Sequence, residues 1–351
     1  MSDALGLGSA CPVPAREKER IVLAHGAGGG LSGELLREVF LPALGNPTLS
    51  ALEDQAAVVA GSARLAFTTD AFVVRPLFFP GGDIGRLAVC GTVNDLAVGG
   101  ARPLYLSAAF ILEEGLPLDD LRRIVASMAE ACQEAGVHVV AGDTKVVDVG
   151  KADGVFIATS GVGLLPEGRR LSVGGARPGD KILVSGSVGD HGAAILSVRE
   201  GLGFESAVES DCAPVGDLAA RLLAACPDLR LMRDPTRGGL TAVLHEIATA
   251  SRVAVRVDEA AVPVRPEVRG LCEVLGLDPL SMACEGKLVA VVPAEGAAAA
   301  LEAARAHPQG RDAALIGDVR EDGKGLVRLR SVAGGERILP LPAGEPLPRI
   351  C

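Results

Sequence analysis

Leu104-Tyr-Leu-Ser-Ala-Ala-Phe-Ile-Leu112, Leu118-Asp-Asp-Leu-Arg-Arg-Ile-Val-Ala-Ser-Met-Ala-Glu-Ala-Cys-Gln-Glu-Ala135 and Val137-His-Val-Val-Ala141 form one passage of 38 residues, from Leu104 to Ala141, that decides the fold class. The first and last runs are apolar and β-rich, so they read as strands. Between them Leu121, Ile124, Val125, Met128 and Cys132 fall on one face at helical spacing. That predicts a helix over Asp119 to Ala135, with Asp119 or Asp120 as its cap and Gly136 as its stop. Working outward, Arg64–Val74, Val155–Leu164 and Lys181–Ser185 also read as strands. Ile84–Val98, His191–Glu200, Gly216–Ala225, Gly238–Ala250 and Ala294–His307 read as helices. The chain is therefore a mixed α/β (α+β) protein.

Its 351 residues, 48% apolar and 22% charged, are too many for one compact core, so two domains are expected. Ser172 to Asp180 is dense in turn formers and runs into a new strand, which makes it the expected hinge. The expected divisions are an extension over residues 1–24, a first domain over 25–172, a second over 173–339 and a tail over 340–351. No apolar run approaches the roughly 20 residues that span a bilayer, and the N-terminal stretch lacks a signal-peptide core, so a cytoplasmic location is expected. A net charge of −10 argues against a general nucleic-acid binder. The eight cysteines contain no C-x-x-C pair, so they read as reduced thiols, with Cys132 in the core.

Chemistry-bearing residues gather at element ends. His25-Gly-Ala-Gly-Gly-Gly30 precedes the helical pattern Glu34–Phe40 and could turn backbone N–H groups toward a phosphate, or be a plain flexible loop. Glu53-Asp54, Thr68-Thr-Asp70, Asn94-Asp95, Gly142-Asp-Thr-Lys145 and Gly189-Asp190-His-Gly offer carboxylates in the manner Mg²⁺ needs against a triphosphate, although Gly-Asp singly is ordinary turn chemistry. Arg233-Asp-Pro-Thr-Arg-Gly-Gly239 brings Asp234 to a helix start, where it suits a phosphate or serves as a simple cap. Lys145 and Glu285, the latter in Ala283-Cys-Glu-Gly-Lys287, lie beside apolar strands, where such residues are more often surface ion pairs than catalysts. The chain ends on Cys351 after a stretch carrying four prolines, Pro340 to Pro348. Such a stretch favours extended geometry and could carry a thiol about 35 Å as an arm. Cys351 is not four residues from the end, so it is no prenylation signal.

These motifs resemble the superfamily of aminoimidazole ribonucleotide synthetase, thiamine-monophosphate kinase and selenophosphate synthetase, and within it the HypE family of hydrogenase-maturation carbamoyl dehydratases. The resemblance runs from His25 to Cys351 and rests on His25-Gly-Ala-Gly-Gly, Glu53-Asp54-Gln-Ala, Thr69-Asp70, Pro76-Leu-Phe-Phe-Pro-Gly-Gly82, Gly91-Thr-Val-Asn-Asp95, Phe110-Ile-Leu-Glu-Glu-Gly-Leu-Pro117, Gly142-Asp-Thr-Lys-Val-Val147, Gly189-Asp-His-Gly192, Asp234-Pro-Thr-Arg-Gly-Gly239, Glu285-Gly-Lys287 and Glu345-Pro-Leu-Pro-Arg-Ile-Cys351. It implies a two-domain synthetase-like fold: an N-terminal α/β domain that pairs with its twin across a β-barrel in a homodimer, and a C-terminal α+β domain, with ATP and Mg²⁺ between them. The implied reaction dehydrates an S-carboxamide on Cys351 to a thiocyanate, supplying the cyanide ligand of the [NiFe]-hydrogenase iron.

By the same resemblance, Lys145 and Glu285 move the proton, with His191 a further candidate. Asp54, Asp70, Asn94, Asp95, Asp143 and Asp234 bind the nucleotide, and Asp54, Asp70, Asp95 and Asp234 hold the metal. The implied partners are the carbamoyltransferase HypF as donor and the HypC–HypD pair as acceptor, with neither nucleic acid nor membrane. Two other readings compete. A kinase- or cyclase-like relative would act on a free small molecule and leave Cys351 dispensable. A thiol or metal carrier would bind an ion without turning over ATP, though the lone tail cysteine and five histidines in the chain make a sparse ligand set.

Overall fold

The computed structural model describes residues 30–44, 46–168, 170–201, 208–341 and 349–351. The glycine loop at His25 up to Gly29, the extension 1–24 and the prolines at 342, 346 and 348 lie outside the described residues. Two sheets organise the rest. The first holds β1 (Ala56–Ala60) and β2 (Ala63–Phe72); the hairpin β3 (Phe78–Phe79) and β4 (Gly82–Asp83) stands apart; β5 (Arg102–Glu113), β6 (His138–Val147) and β7 (Val155–Leu164) complete the first sheet. Its order is β1-β2-β7-β5-β6, antiparallel throughout except for the parallel pair β5 and β6. The second holds β8 (Lys181–Val184), β9 (Leu231–Arg233), β10 (Ala254–Asp258), β11 (Val289–Val292), β12 (Ala314–Arg320), β13 (Val327–Arg330) and β14 (Glu336–Ile338) in the order β14-β13-β10-β12-β8-β11-β9.

One helix links the two halves. Ile84–Val98 starts where the Asp83 carboxylate accepts from the backbone N–H groups of Gly85 (2.7 Å) and Arg86 (3.0 Å). It is buried nearly all round, which suits a helix apolar on every side. It lies close against the first sheet because glycines remove the obstruction: a Cβ on Gly91 would sit 2.8 Å from the Phe72 ring, and one on Gly161 2.8 Å from Thr92. The period-two alternation of β2 turns Ala66, Thr68, Asp70 and Phe72 toward this helix. At its far end Ala97 and Val98 pack with Leu218 and Leu222, which belong to the second half.

Differences from the sequence-based expectations have physical causes. The helix Leu118–Ala135 begins after Pro117, which fixes the entry, and neither Asp119 nor Asp120 caps it. Gly136 does close it, at φ 67°. Val125 faces outward, 47% exposed, because the buried face is set by Ile124, Met128, Ala131 and Cys132. β6 runs on to Val147, so Gly142 to Lys145 lie within an edge strand rather than in a turn. In the Ser172 to Asp180 stretch the Glu53 carboxylate accepts from Ser172 Oγ (2.7 Å) and from the Val173 N–H (3.1 Å), and a short helical turn, Val173–Gly175, follows.

Candidate active site

The carboxylates expected to hold metal come from four different elements. Asp54 precedes β1, Asp70 lies in β2, Asp95 in the Ile84–Val98 helix and Asp234 directly after β9. Asp54, Asp95 and Asp234 each offer an oxygen within 4.8 Å of the others. Asp70 joins them through a side-chain hydrogen bond with Asp95. Thr68 Oγ fixes the group by donating to Asp95 Oδ2 at 2.7 Å and lies 2.9 Å from the Asp54 carbonyl. Arg233 Nη1 reaches Asp54 Oδ1 at 2.7 Å, and its other nitrogen bonds Glu246.

Gathering carboxylates out of water disfavours their charge. Burial, and the Asp70, Asp234 and Asp54 charges around it, push Asp95 well above the aspartate range. Burial likewise pushes Asp234 up to about 6 against the pull of Arg233. Asp54 is raised well above its ordinary value by burial, with Arg233 opposing. Three hard oxygen donors converging under like-charge strain are what a small divalent cation relieves, so the donor set fits Mg²⁺.

Glu285 stands beside this group, 2% exposed. Its Oε1 has no hydrogen-bond partner among the described residues. Burial first, then the charges of Asp234, Asp211 and Asp70, raise its carboxyl well above the glutamate range, with Arg237 opposing. Asn94, expected at the nucleotide, commits its amide to the protein: Nδ2 donates to the carbonyls of Ala213 (3.1 Å) and Glu285 (3.3 Å), and Oδ1 accepts from the Val215 N–H (2.8 Å).

Lys145 and Asp143 are not brought to this cluster. They pair with each other on β6 at 2.9 Å, with side chains 72% and 65% exposed. Within one chain Lys145 stays in solvent, because β6 is an edge of its sheet among the described residues. Asp190 is also separate, fully buried against Ser187 and Arg265. His191 is the surprise. It is buried, and its Nε2 donates to the Ile350 carbonyl at 2.7 Å while Nδ1 lies 2.8 Å from Ser210 Oγ. Burial lowers its affinity for a proton, so the neutral ring accepts from the Ser210 hydroxyl.

The tip of the tail, Arg349 to Cys351, is thus docked on the body, where the sequence suggested an extended arm. Ile350 is 1% exposed among Phe79, Ile84, Ile195 and Val208, and Cys351 packs half-buried beside them. The Arg349 carbonyl accepts from the Arg75 N–H at 3.2 Å, and its guanidinium meets Asp153 at 2.9 Å. Taking the apolar Ile350 side chain out of water favours this docking. Arg233, Thr68 and Asp211 were not singled out individually from sequence. Arg233 opens a quoted motif, but nothing local marked Asp211.

Two segments match the family models for the AIR synthase related protein, N-terminal domain (residues 53–165) and C-terminal domain (residues 177–330), and with this arrangement of sheets they define an AIR synthase-related protein. A carbamoyl dehydratase HypE from Cupriavidus necator is 56% identical over 333 residues, 95% of each chain. The crystal structure of a HypE–HypF complex superposes with a TM-score of 0.83 at 48% identity, over 88% of this chain and 99% of that one. A HypE crystal structure in complex with ATP gives a TM-score of 0.80 at 49% identity, over 95% and 100%. The chain belongs to the carbamoyl dehydratase HypE family of hydrogenase maturation proteins.

Proposed function

We propose that this protein uses ATP to dehydrate a carbamoyl group carried on its own Cys351, giving a thiocyanate whose cyanide goes to the iron of a [NiFe]-hydrogenase. The observation that carries the reading is the orphaned, buried Glu285 oxygen beside an acidic cluster, in a chain whose terminal thiol is docked on the body. Hydroxide leaves a carboxamide badly; phosphate leaves well. Transfer of the γ-phosphoryl to the carboxamide oxygen releases ADP, and loss of the nitrogen proton with departure of phosphate forms the nitrile. The net change is carboxamide plus ATP to thiocyanate, ADP, phosphate and a proton.

Asp54, Asp95 and Asp234, with Asp70 beside them, would hold Mg²⁺, which when bound would offset the charge of the triphosphate. Arg233 and Thr68 keep that set oriented. Glu285, whose proton affinity burial has raised, takes the nitrogen proton. Asp143 and Lys145 would reach the phosphates or the proton only on dimerisation. Support for a homodimer comes from β6, an exposed edge with Val140 63% and Val146 67% accessible. Closing that edge against its twin would make the barrel and desolvate Lys145. Within each protomer, residues 25–172 would carry the nucleotide and dimer surfaces, 173–339 the second domain and 340–351 the tail. A HypF-like carbamoyltransferase, as in the relative's complex, would load Cys351, and a HypC–HypD-like pair would receive the cyanide. Among the described residues no helix is long and apolar enough to cross a membrane. We place the reaction in the cytoplasm, where thiols stay reduced. The alternative in which a free small molecule is the substrate makes Cys351 dispensable. Intact-mass analysis after incubation with ATP, Mg²⁺, carbamoyl phosphate and the carbamoyltransferase tests both: the reading expects a carbamoyl adduct on Cys351 that then loses one water, and Cys351→Ala should show neither. Either adduct on another cysteine overturns the assignment.

A further inference from the structure

Between the tail dock and Glu285 runs a short strap that no motif marked. Ser210 is its first contact: Oγ donates to His191 Nδ1 at 2.8 Å and accepts from the Cys212 N–H at 3.1 Å, while the Ser210 N–H donates to the Pro80 carbonyl at 2.8 Å. Asp211 is the second: Oδ1 accepts from the Glu285 N–H at 3.0 Å, and Oδ2 pairs with Lys287 at 3.3 Å, the two side chains 1% and 11% exposed. Asn94 closes the bracket by holding the carbonyls of both Ala213 and Glu285.

The strap has no room to drift. On one side a Cβ on Gly81 would come 2.6 Å from the Ser210 carbonyl oxygen; on the other a Cβ on Gly286 would come 1.8 Å from the Asp211 carbonyl oxygen. Both neighbours are glycine because the backbones touch, and packed elements of this kind transmit a shift rather than absorb it. The connection is continuous: Ile350 carbonyl, His191 ring, Ser210 hydroxyl, the Ser210–Asp211 peptide, Asp211 carboxylate, Glu285 backbone.

We propose that the Ser210–Asp211 strap couples docking of the tail at His191 to the placement of Glu285, which makes Ser210 and Asp211 positioning residues for the dehydration. The inference rests on the proposed function for its chemistry. A carboxylate placed about 1 Å off line loses most of its use in a proton transfer, so the strap's register matters although it touches no reacting atom. Coupling of this sort is reciprocal: what loosens the strap at Glu285 must also loosen the tail.

Two measurements on the full-length protein decide it. In single-turnover conversion of the carbamoylated protein with ATP and Mg²⁺, Ser210→Ala should slow the loss of water about tenfold or more and leave the half-saturating ATP concentration unchanged, with Cys351 still accepting its carbamoyl group. In alkylation by iodoacetamide, mapped to Cys351 by peptide mass, Asp211→Asn should raise the Cys351 rate severalfold although Asp211 is bonded to Glu285 and Lys287 and not to the tail. If Asp211→Asn does not fold, Lys287→Gln, breaking the same ion pair from the other end, supplies that arm. Wild-type dehydration in Ser210→Ala, or wild-type alkylation in the remote variant, overturns the coupling. The alkylation arm needs no turnover, so it decides the coupling even where the wild-type protein retains its carbamoyl adduct unconverted, a result that would count against the proposed function instead.

Discussion

Glu285 and Lys145, the two groups expected to move the proton, sit in opposite surroundings. Glu285 is enclosed by one chain: the strap, Asn94 and the acidic cluster fix it at 2% exposure. Lys145 stands 72% exposed on an edge strand, paired with Asp143. A buried carboxylate has its proton affinity set by the fold, and burial raises that of Glu285. In the proposed reaction, Glu285 would be in place when a protomer folds, whereas Lys145 would need a second surface to cover it.

Glu285→Gln should accumulate carbamoylated Cys351 and cut its conversion to thiocyanate by about a thousandfold, read by intact mass. Lys145→Ala should do the same only if dimerisation buries the Lys; thiocyanate at the wild-type rate would leave Lys145 as surface charge. Next in size, Asp70→Asn or Asp95→Asn should lower ATP turnover by about a hundredfold with the fold kept, as circular dichroism would report. Unchanged turnover of both at limiting Mg²⁺ would remove them from the site.

A smaller effect is expected from the edge. Val140→Asp places a charge on the exposed face of β6 and should shift sedimentation toward the monomer, with turnover falling about tenfold on dilution while each chain stays folded. An unshifted boundary would put the dimer surface elsewhere.

Smallest is the pH dependence of stability. Asp54, Asp95 and Asp234 have folded-state values above their unfolded ones, so the folded chain holds more protons. Their contribution is fully present below the ordinary aspartate value and is lost as pH rises through the raised values, about 6 for Asp234. Without metal, the melting temperature should fall by a few degrees between about pH 5 and about pH 8, and Mg²⁺ should restore it at the higher pH and not at the lower. Equal stabilisation at both would argue against the cluster as the metal site.

Many elements were legible because their signals are strong. Ile84–Val98, Val155–Leu164 and Gly216–Ala225 stand where periodicity and turn residues put them. Strands of the second sheet such as Leu231–Arg233 and Val289–Val292 are short and buried on both faces, so they carry no alternation to read. In the site, the acidic residues were legible as types, not as places: Asp95 lies inside a helix and Asp70 inside a strand, while Gly142-Asp looked like a turn and is edge strand. Asp211 and Ser210 were silent because their importance comes from what folds against them.

The docked tip of the chain has a kinetic consequence. In the proposed reaction the substrate is the last residue of the catalyst, so it never dissociates into bulk solution, and a tethered group meets its site at an effective concentration of about millimolar whatever the abundance of the protein. Each molecule then converts one carbamoyl group per loading and stops. Output is counted in visits by the donor and the acceptor, and the overall rate is set by how fast the tail is exchanged between partners.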